Sequence, residues 1–155
     1  MGKYKQGKYV CVNPQKYIGD SSDIVYRSSW EQRMCKWCDS RENVIEWSSE
    51  TIVVPYYFPV DNKNHRYFVD FLVKIRSNDN TVKTLLIEIK PSKEVNKPTP
   101  PKTNNRKAQM RYSKEIETYI KNQCKWEAAS AYAAARGYEF VVLTEHHLYP
   151  RKGKR

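Results

Sequence analysis

Two runs of strict apolar alternation, separated by a short polar turn, constrain this chain more than anything else in it. Residues 66–76 read Arg-Tyr-Phe-Val-Asp-Phe-Leu-Val-Lys-Ile-Arg, and residues 81–90 read Thr-Val-Lys-Thr-Leu-Leu-Ile-Glu-Ile-Lys. A period of two is the signature of a strand with one buried face. In the first run Tyr67, Val69, Phe71, Val73 and Ile75 share a face, and Asp70 points the other way with Phe68, Leu72 and Lys74. In the second, Leu85, Ile87 and Ile89 share a face, while Glu88 and Lys90 project together from the other. Same-face neighbours on a strand lie about 6.6 Å apart, so Glu88 and Lys90 reach into one small volume.

The turn decides whether Asp70 joins them. A three-residue loop of Asn78, Asp79 and Asn80 pairs Ser77 with Thr81 and sets Asp70 opposite Glu88. The last residue of such a loop usually adopts the left-handed conformation, which Asn tolerates. A loop one residue shorter or longer moves Asp70 to the opposite face.

Two carboxylates and an ammonium on one strand face are costly to bury unless something pairs them. Hard oxygen ligands of this kind suit Mg²⁺, which takes one or two carboxylates plus phosphate and water. Such a metal polarises a phosphoryl oxygen and acidifies a bound water, and a lysine beside it stabilises the charged transition state. The alternative is a Glu–Lys pair and an isolated Asp on an exposed hairpin face. Against it, the same face carries Phe68, Leu72 and Leu86, and Pro91 stops the second strand just after Lys90.

Composition narrows the partner. The 155 residues carry 28 Lys plus Arg against 17 Asp plus Glu, a net charge of +11. That field favours a polyanion, and with no basic amphipathic helix of the membrane-surface type, nucleic acid is preferred to membrane. The length suits one domain. No apolar run approaches bilayer length, no apolar leader opens the chain, and Gln6 breaks a myristoylation pattern, so a soluble, intracellular protein is expected. Cys35 and Cys38 form one C-x-x-C without a second pair at zinc spacing, which favours reduced thiols over a metal site.

Along the chain, residues 1–27 read as an irregular basic arm that either tracks phosphates or packs on the domain. Residues 28–39 read as a helix with Trp30, Met34, Trp37 and Cys38 as its buried stripe. Ser28 and Glu31 have the spacing of a capping box, which competes with a catalytic role for Glu31. Residues 40–47 read as a connector with a short strand, and residues 50–59 as a strand made an edge or a bend by Pro55. Residues 91–107 lose apolar side chains and gain Pro98, Pro100 and Pro101, the composition of a mobile loop. The loop either closes over nucleic acid or is a plain connection. Lys93, Lys97, Lys102, Arg106, Lys107 and Arg111 are its candidate nucleic-acid contacts.

Residues 108–136 read as one long helix, or two with a break near Asn122. Ile116, Tyr119, Ile120, Cys124, Ala128, Ala131 and Ala135 form its stripe, Lys107, Arg111, Lys114, Lys121 and Lys125 its outside, and Gly137 its C′ residue. Residues 138–144 form a buried last strand, and residues 151–155 a basic tail. His146 and His147 are adjacent, point apart and read as surface residues rather than ligands. The order helix, three strands, long helix, strand is α/β with a mixed sheet.

An Asp in the second strand and Glu-x-Lys in the third, Phe68-Val69-Asp70 and Glu88-Ile89-Lys90, resemble the PD-(D/E)XK nuclease core, with Val69 standing where that motif has Pro. The later segments Lys125-x-x-x-Ala129-x-x-Tyr132, Gly137-Tyr-Glu-Phe140 and Leu143-Thr144-Glu145 are similar to the TnsA-like endonuclease domain. The whole chain resembles the head-completion nucleases of T4-like bacteriophages. The resemblance implies a restriction-endonuclease-like fold. It implies that Asp70 and Glu88 hold Mg²⁺ (Mn²⁺ substituting), that Lys90 contacts the scissile phosphate or water, and that Glu31 is a secondary ligand. It also implies a host-cytoplasmic or virion-associated enzyme that cuts packaged DNA, endo- or exonucleolytically, before tails join filled heads. Double-stranded DNA would be recognised with little sequence preference, with head, portal or neck proteins as further partners. The related Gln-x-x-x-Tyr motif is not matched, because Gln109 and Tyr112 are one residue too close. The competing function is a non-catalytic DNA-binding protein of the head–neck junction.

Overall fold

The computed structural model describes residues 6–150. The chain opens with β1 (Gly7–Lys8), a 3₁₀ turn at Pro14–Lys16, and β2 (Val25–Tyr26), which pairs antiparallel with β1. Then follow α1 (Ser29–Ser40), β3 (Val44–Ser49), β4 (Val53–Phe58), β5 (Lys63–Phe68), β6 (Phe71–Arg76) and β7 (Val82–Ile89). A short helix α2 (Ser92–Val95) leads to the long α3 (Arg106–Ala135), then β8 (Glu139–Leu143) and α4 (Glu145–Leu148). The central sheet has the order β3-β6-β7-β8: the first three strands are antiparallel, and β8 joins parallel to β7 after the α3 crossover. A mixed α/β sheet is thus what forms.

Two details of the strand assignment differ from expectation. The first strand of the central sheet is Val44–Ser49, the short strand of the segment read as a connector, and not the run containing Pro55. The run containing Pro55 pairs instead with β5 as a separate two-stranded ribbon. Pro55 sits there without cost, since a two-stranded ribbon has only edges.

The second difference concerns residues 66–76, which are not one strand. The backbone bends at Val69 and Asp70, where Val69 N–H bonds Ile52 O at 3.0 Å and Glu50 N–H bonds Asp70 O at 3.1 Å. Before the bend the chain belongs to the ribbon, and after it to the central sheet. Tyr67 and Val69 therefore do not share a face with Phe71 and Val73. The first pair packs with Leu86, Trp126, Ala129 and Ala133 under α3, and the second with Met34, Cys35, Cys38, Trp47 and Ile87 under α1.

The sheet is thus covered on both faces, and its large buried side chains, such as Trp47 and Phe71, each contribute roughly 1.5–3 kcal/mol by leaving water. The cysteines are free thiols, and Cys35 and Cys38 lie fully within the α1-side core.

The loop between β6 and β7 has the expected odd length. Ser77 N–H bonds Thr81 O at 2.8 Å, Asn80 has φ 71°, and Phe71 pairs with Ile87. Carried one step further, that register sets Asp70 against Glu88.

The described part of the N-terminal arm packs on the domain. Ile24 is 1% exposed, and Tyr17 meets Trp47 edge-on at 4.8 Å. Asp39 accepts from Tyr9 Oη, Val12 N and Asn13 N at 2.7, 2.8 and 2.9 Å. Burial alone would raise the Asp39 carboxyl, but these bonds outweigh it and hold it below the usual range. Lys16 Nζ donates to the carbonyls of Cys38 and Arg41 at the end of α1, at 2.8 and 2.7 Å, where a cation complements the helix dipole. Lys8 lies 3.8 Å from Asp23, and Arg27 pairs with Glu50. Lys16 is thereby engaged within the fold, while Lys8 and Arg27 keep largely exposed side chains. Lys3, Lys5 and the basic residues 151–155 lie outside the described residues.

The long helix is unbroken at Asn122. It ends in a Schellman motif: Tyr138 N–H bonds Ala133 O, Gly137 N–H bonds Ala134 O, and Gly137 has φ 72°. Its fully buried line is Asn122, Trp126, Ala129 and Ala133; of the expected stripe Ile120, Cys124 and Ala128 are half-buried against the core, while Ala131 and Ala135 are exposed. The alanine-rich stretch carries little phase information, and Trp126 sets the rotation.

Candidate active site

Asp70 stands at the bend between β5 and β6, and Glu88 and Lys90 at the end of β7, all on the α3 side of the sheet. Asp70 Oδ2 accepts from Ile89 N–H at 2.8 Å, which ties the bend to the neighbouring strand. Glu88 is 6% exposed. Its Oε1 lies 3.6 Å from Lys90 Nζ, and its Oε2 accepts a short hydrogen bond from Tyr67 Oη. The three expected residues are therefore brought together.

The electrostatics follow from burial. Desolvation first, then the charge of Glu88, push the Asp70 carboxyl well above the usual carboxylate range, although the Ile89 amide opposes this. Burial and the neighbouring Glu88 likewise push the Tyr67 hydroxyl far up, so it remains a donor. Two adjacent carboxylates that resist joint ionisation form an oxygen donor set suited to a hard divalent cation.

Glu31 is placed differently. Its Oε2 accepts from Arg27 N at 2.6 Å, while its own N–H donates to Ser28 Oγ at 3.2 Å. This is a helix cap, with the carboxylate reaching one residue further back than a capping box requires. Glu31 contributes to raising Asp70, and burial raises its own carboxyl. Even so, no three His, Cys, Asp or Glu side chains gather into a metal cluster among the described residues.

Two groups were missed in the sequence. Tyr67 reads as core because the bend at Asp70 is not visible in the alternation. Lys125 reads as an outer residue of α3, but the rotation set by Trp126 turns it toward the sheet. Its Nζ lies 5.4 Å from the Tyr67 ring centre, and burial, followed by Lys90 and Lys121, lowers its pKa against the opposing pull of Glu88.

After Lys90 the chain is tied down rather than loose throughout. Glu145 accepts from Ser92 N–H at 3.0 Å and from Ser92 Oγ, which draws the Glu145 carboxyl down to about 2. His147 Nδ1 accepts from Thr144 N–H at 2.9 Å as part of the α4 cap. Of the candidate nucleic-acid contacts, Lys93, Lys97 and Arg111 line a cavity of about 580 Å³ between the residues after β7 and α3. Lys102, Arg106 and Lys107 are exposed on the loop and the first turn of α3.

An α-covered mixed sheet with two acids and a lysine at the ends of adjacent central strands defines the restriction-endonuclease-like class. The family model of the TnsA-like endonuclease N-terminal domain matches residues 41–145, and the chain belongs to that family. It is also similar to the head completion nuclease of Enterobacteria phage T4, with 41% identity over 142 residues, covering 92% of each chain. Nucleases of this superfamily generally depend on a divalent metal.

Proposed function

We propose that this protein is a Mg²⁺-dependent deoxyribonuclease that acts in phage head completion and head–tail joining by cutting or trimming packaged DNA. The observation that carries the reading is the convergence of Asp70, Glu88 and Lys90, with Glu88 bonded to Tyr67 and 3.6 Å from Lys90. The family and the named function of the phage relative supply the substrate class and the biological setting.

Asp70 and Glu88 would hold the cation. When bound, it supplies positive charge to a phosphoryl oxygen and lowers the pKa of a coordinated water. The chain's own contributions are separable. Tyr67 fixes Glu88 by donating to one oxygen, leaving the other to face the site. The Ile89 amide orients Asp70. Lys90 places an ammonium where negative charge grows on the phosphate, and Lys125 adds a second from the helix side. Glu31 gives one carboxylate oxygen, Oε2, to the Arg27 amide and contributes its field, with Oε1 left for a secondary ligand role.

The test is plasmid nicking with added Mg²⁺ and with EDTA, for the wild type and Asp70→Ala. Cutting that needs Mg²⁺ and is lost in the variant supports the reading. Equal cutting by both proteins overturns it. No cutting by the folded wild type with either Mg²⁺ or Mn²⁺ overturns it in favour of a DNA-binding structural role.

A further inference from the structure

The cavity beside the candidate site has a floor that the chemistry above does not use. Asn122 is 4% exposed and lines this cavity, where its amide is solvated rather than orphaned. The helix carrying it runs unbroken through this point, so the backbone does not need an Asn here.

The surroundings indicate what replaces that solvent. Lys93, Lys97, Arg111 and Lys114 line the cavity against Glu94 and Glu115, an excess of cations, and Tyr119 contributes an aromatic wall. Phosphate offers only acceptors, which the surface cations already suit. A carboxamide both donates and accepts, matching the edge of a nucleobase. A paired base keeps its Watson–Crick edge inside the duplex, and only an unpaired one can enter a recess with an aromatic wall and an amide floor. The volume of about 580 Å³ falls within the usual range for small-ligand pockets.

The cavity lies about one helical turn from Lys125. Asn122 precedes Lys125 by three residues on α3, about 4.5 Å along the axis, and Lys93 follows Lys90 by three residues in the chain.

We propose that this cavity takes one unpaired nucleotide of the DNA strand next to the phosphate at the Asp70–Glu88 site, its base edge bonded by Asn122 and its flanking phosphates held by the surrounding cations. The inference rests on the nuclease reading above, and names its substrate as DNA with a frayed or single-stranded end.

The experiment measures fluorescence anisotropy of the full-length protein in EDTA with short labelled duplexes that are blunt or carry a 3′ or a 5′ overhang. The wild type is expected to bind one overhang about tenfold more tightly than the blunt duplex, the scale of one stacked base. In Asn122→Ala the ratio falls to within about twofold. If that variant does not fold by circular dichroism, Tyr119→Ala is read in its place with the same expectation. Equal binding of blunt and overhang DNA by the wild type, or a ratio unchanged in the folded variant, overturns the proposal. Cutting of the probes in EDTA would instead count against the metal-dependent reading, and the binding ratio at the earliest time points would still decide the cavity.

Discussion

Tyr67 donates its hydroxyl to Glu88 Oε2 from a strand that does not belong to the sheet carrying Glu88. The contact exists because the backbone bends at Asp70, carrying Tyr67 to the α3 side of the sheet. One residue thus supplies a candidate ligand and also directs the hydroxyl that fixes its partner.

Removing that hydroxyl tests its positioning role. Tyr67→Phe is expected to lower kcat by about 10–100-fold, the usual loss when a group orienting a ligand is deleted. KM for DNA should stay near wild type, because Tyr67 is 4% exposed and its hydroxyl is spent on Glu88. Steady-state cutting of a supercoiled plasmid separates the two parameters, and a rise in KM alone would assign Tyr67 to substrate binding instead.

Asp70 makes the metal-free protein pH-sensitive. Its folded pKa lies well above the unfolded value of about 3.9. Such a group favours the fold fully below the unfolded pKa, and this contribution is lost as pH rises through the folded pKa. Thermal melts in EDTA should therefore show the wild-type Tm falling relative to that of Asp70→Asn between about pH 4 and neutrality. At neutral pH, Mg²⁺ at about 100 times its Kd should raise the wild-type Tm by about 5–10 °C. Asp70→Asn should lose most of that rise.

Lys125 is expected to act by charge. Lys125→Ala should cut kcat by at least about 10-fold, as for loss of a cation near developing negative charge, while Lys125→Arg retains most of it. The lowered pKa of Lys125 predicts an alkaline fall in rate, which Lys125→Arg should move to higher pH. A pH–rate profile of both proteins checks this, and identical alkaline limbs would exclude the role.

The loop between β6 and β7 fixes the site through register. Asn80→Val should destabilise the fold by about 1–2 kcal/mol, because a β-branched residue is forced to the positive φ that Asn accepts. Asn80→Gly should be neutral or nearly so. Urea melts measure both. Inserting one residue between Asn78 and Asn80 should abolish cutting if the hairpin shifts by one and turns Asp70 from Glu88.

Much of the fold could be read from local chemistry. Ser28 before α1, Gly137 after α3 and Asn80 in the hairpin each occupy the place their backbone preferences suggest. The pairing of Glu88 with Lys90 follows from strand periodicity and is seen at 3.6 Å. Where the reading failed, the pattern held no phase. The alanines of α3 fit several rotations, and an alternating run continues through a bend as smoothly as through a straight strand.

The sequence by itself determined the hairpin register, the helix ends and the chemical character of Asp70, Glu88 and Lys90, because these depend on neighbours a few residues away. Only the tertiary structure decided that Tyr67 and Lys125 face those acids and that Asn122 floors a cavity one helical turn from Lys125. Those outcomes depend on where separate elements pack, and packing is settled by the shapes of side chains such as Trp47 and Trp126, which meet residues distant in the chain.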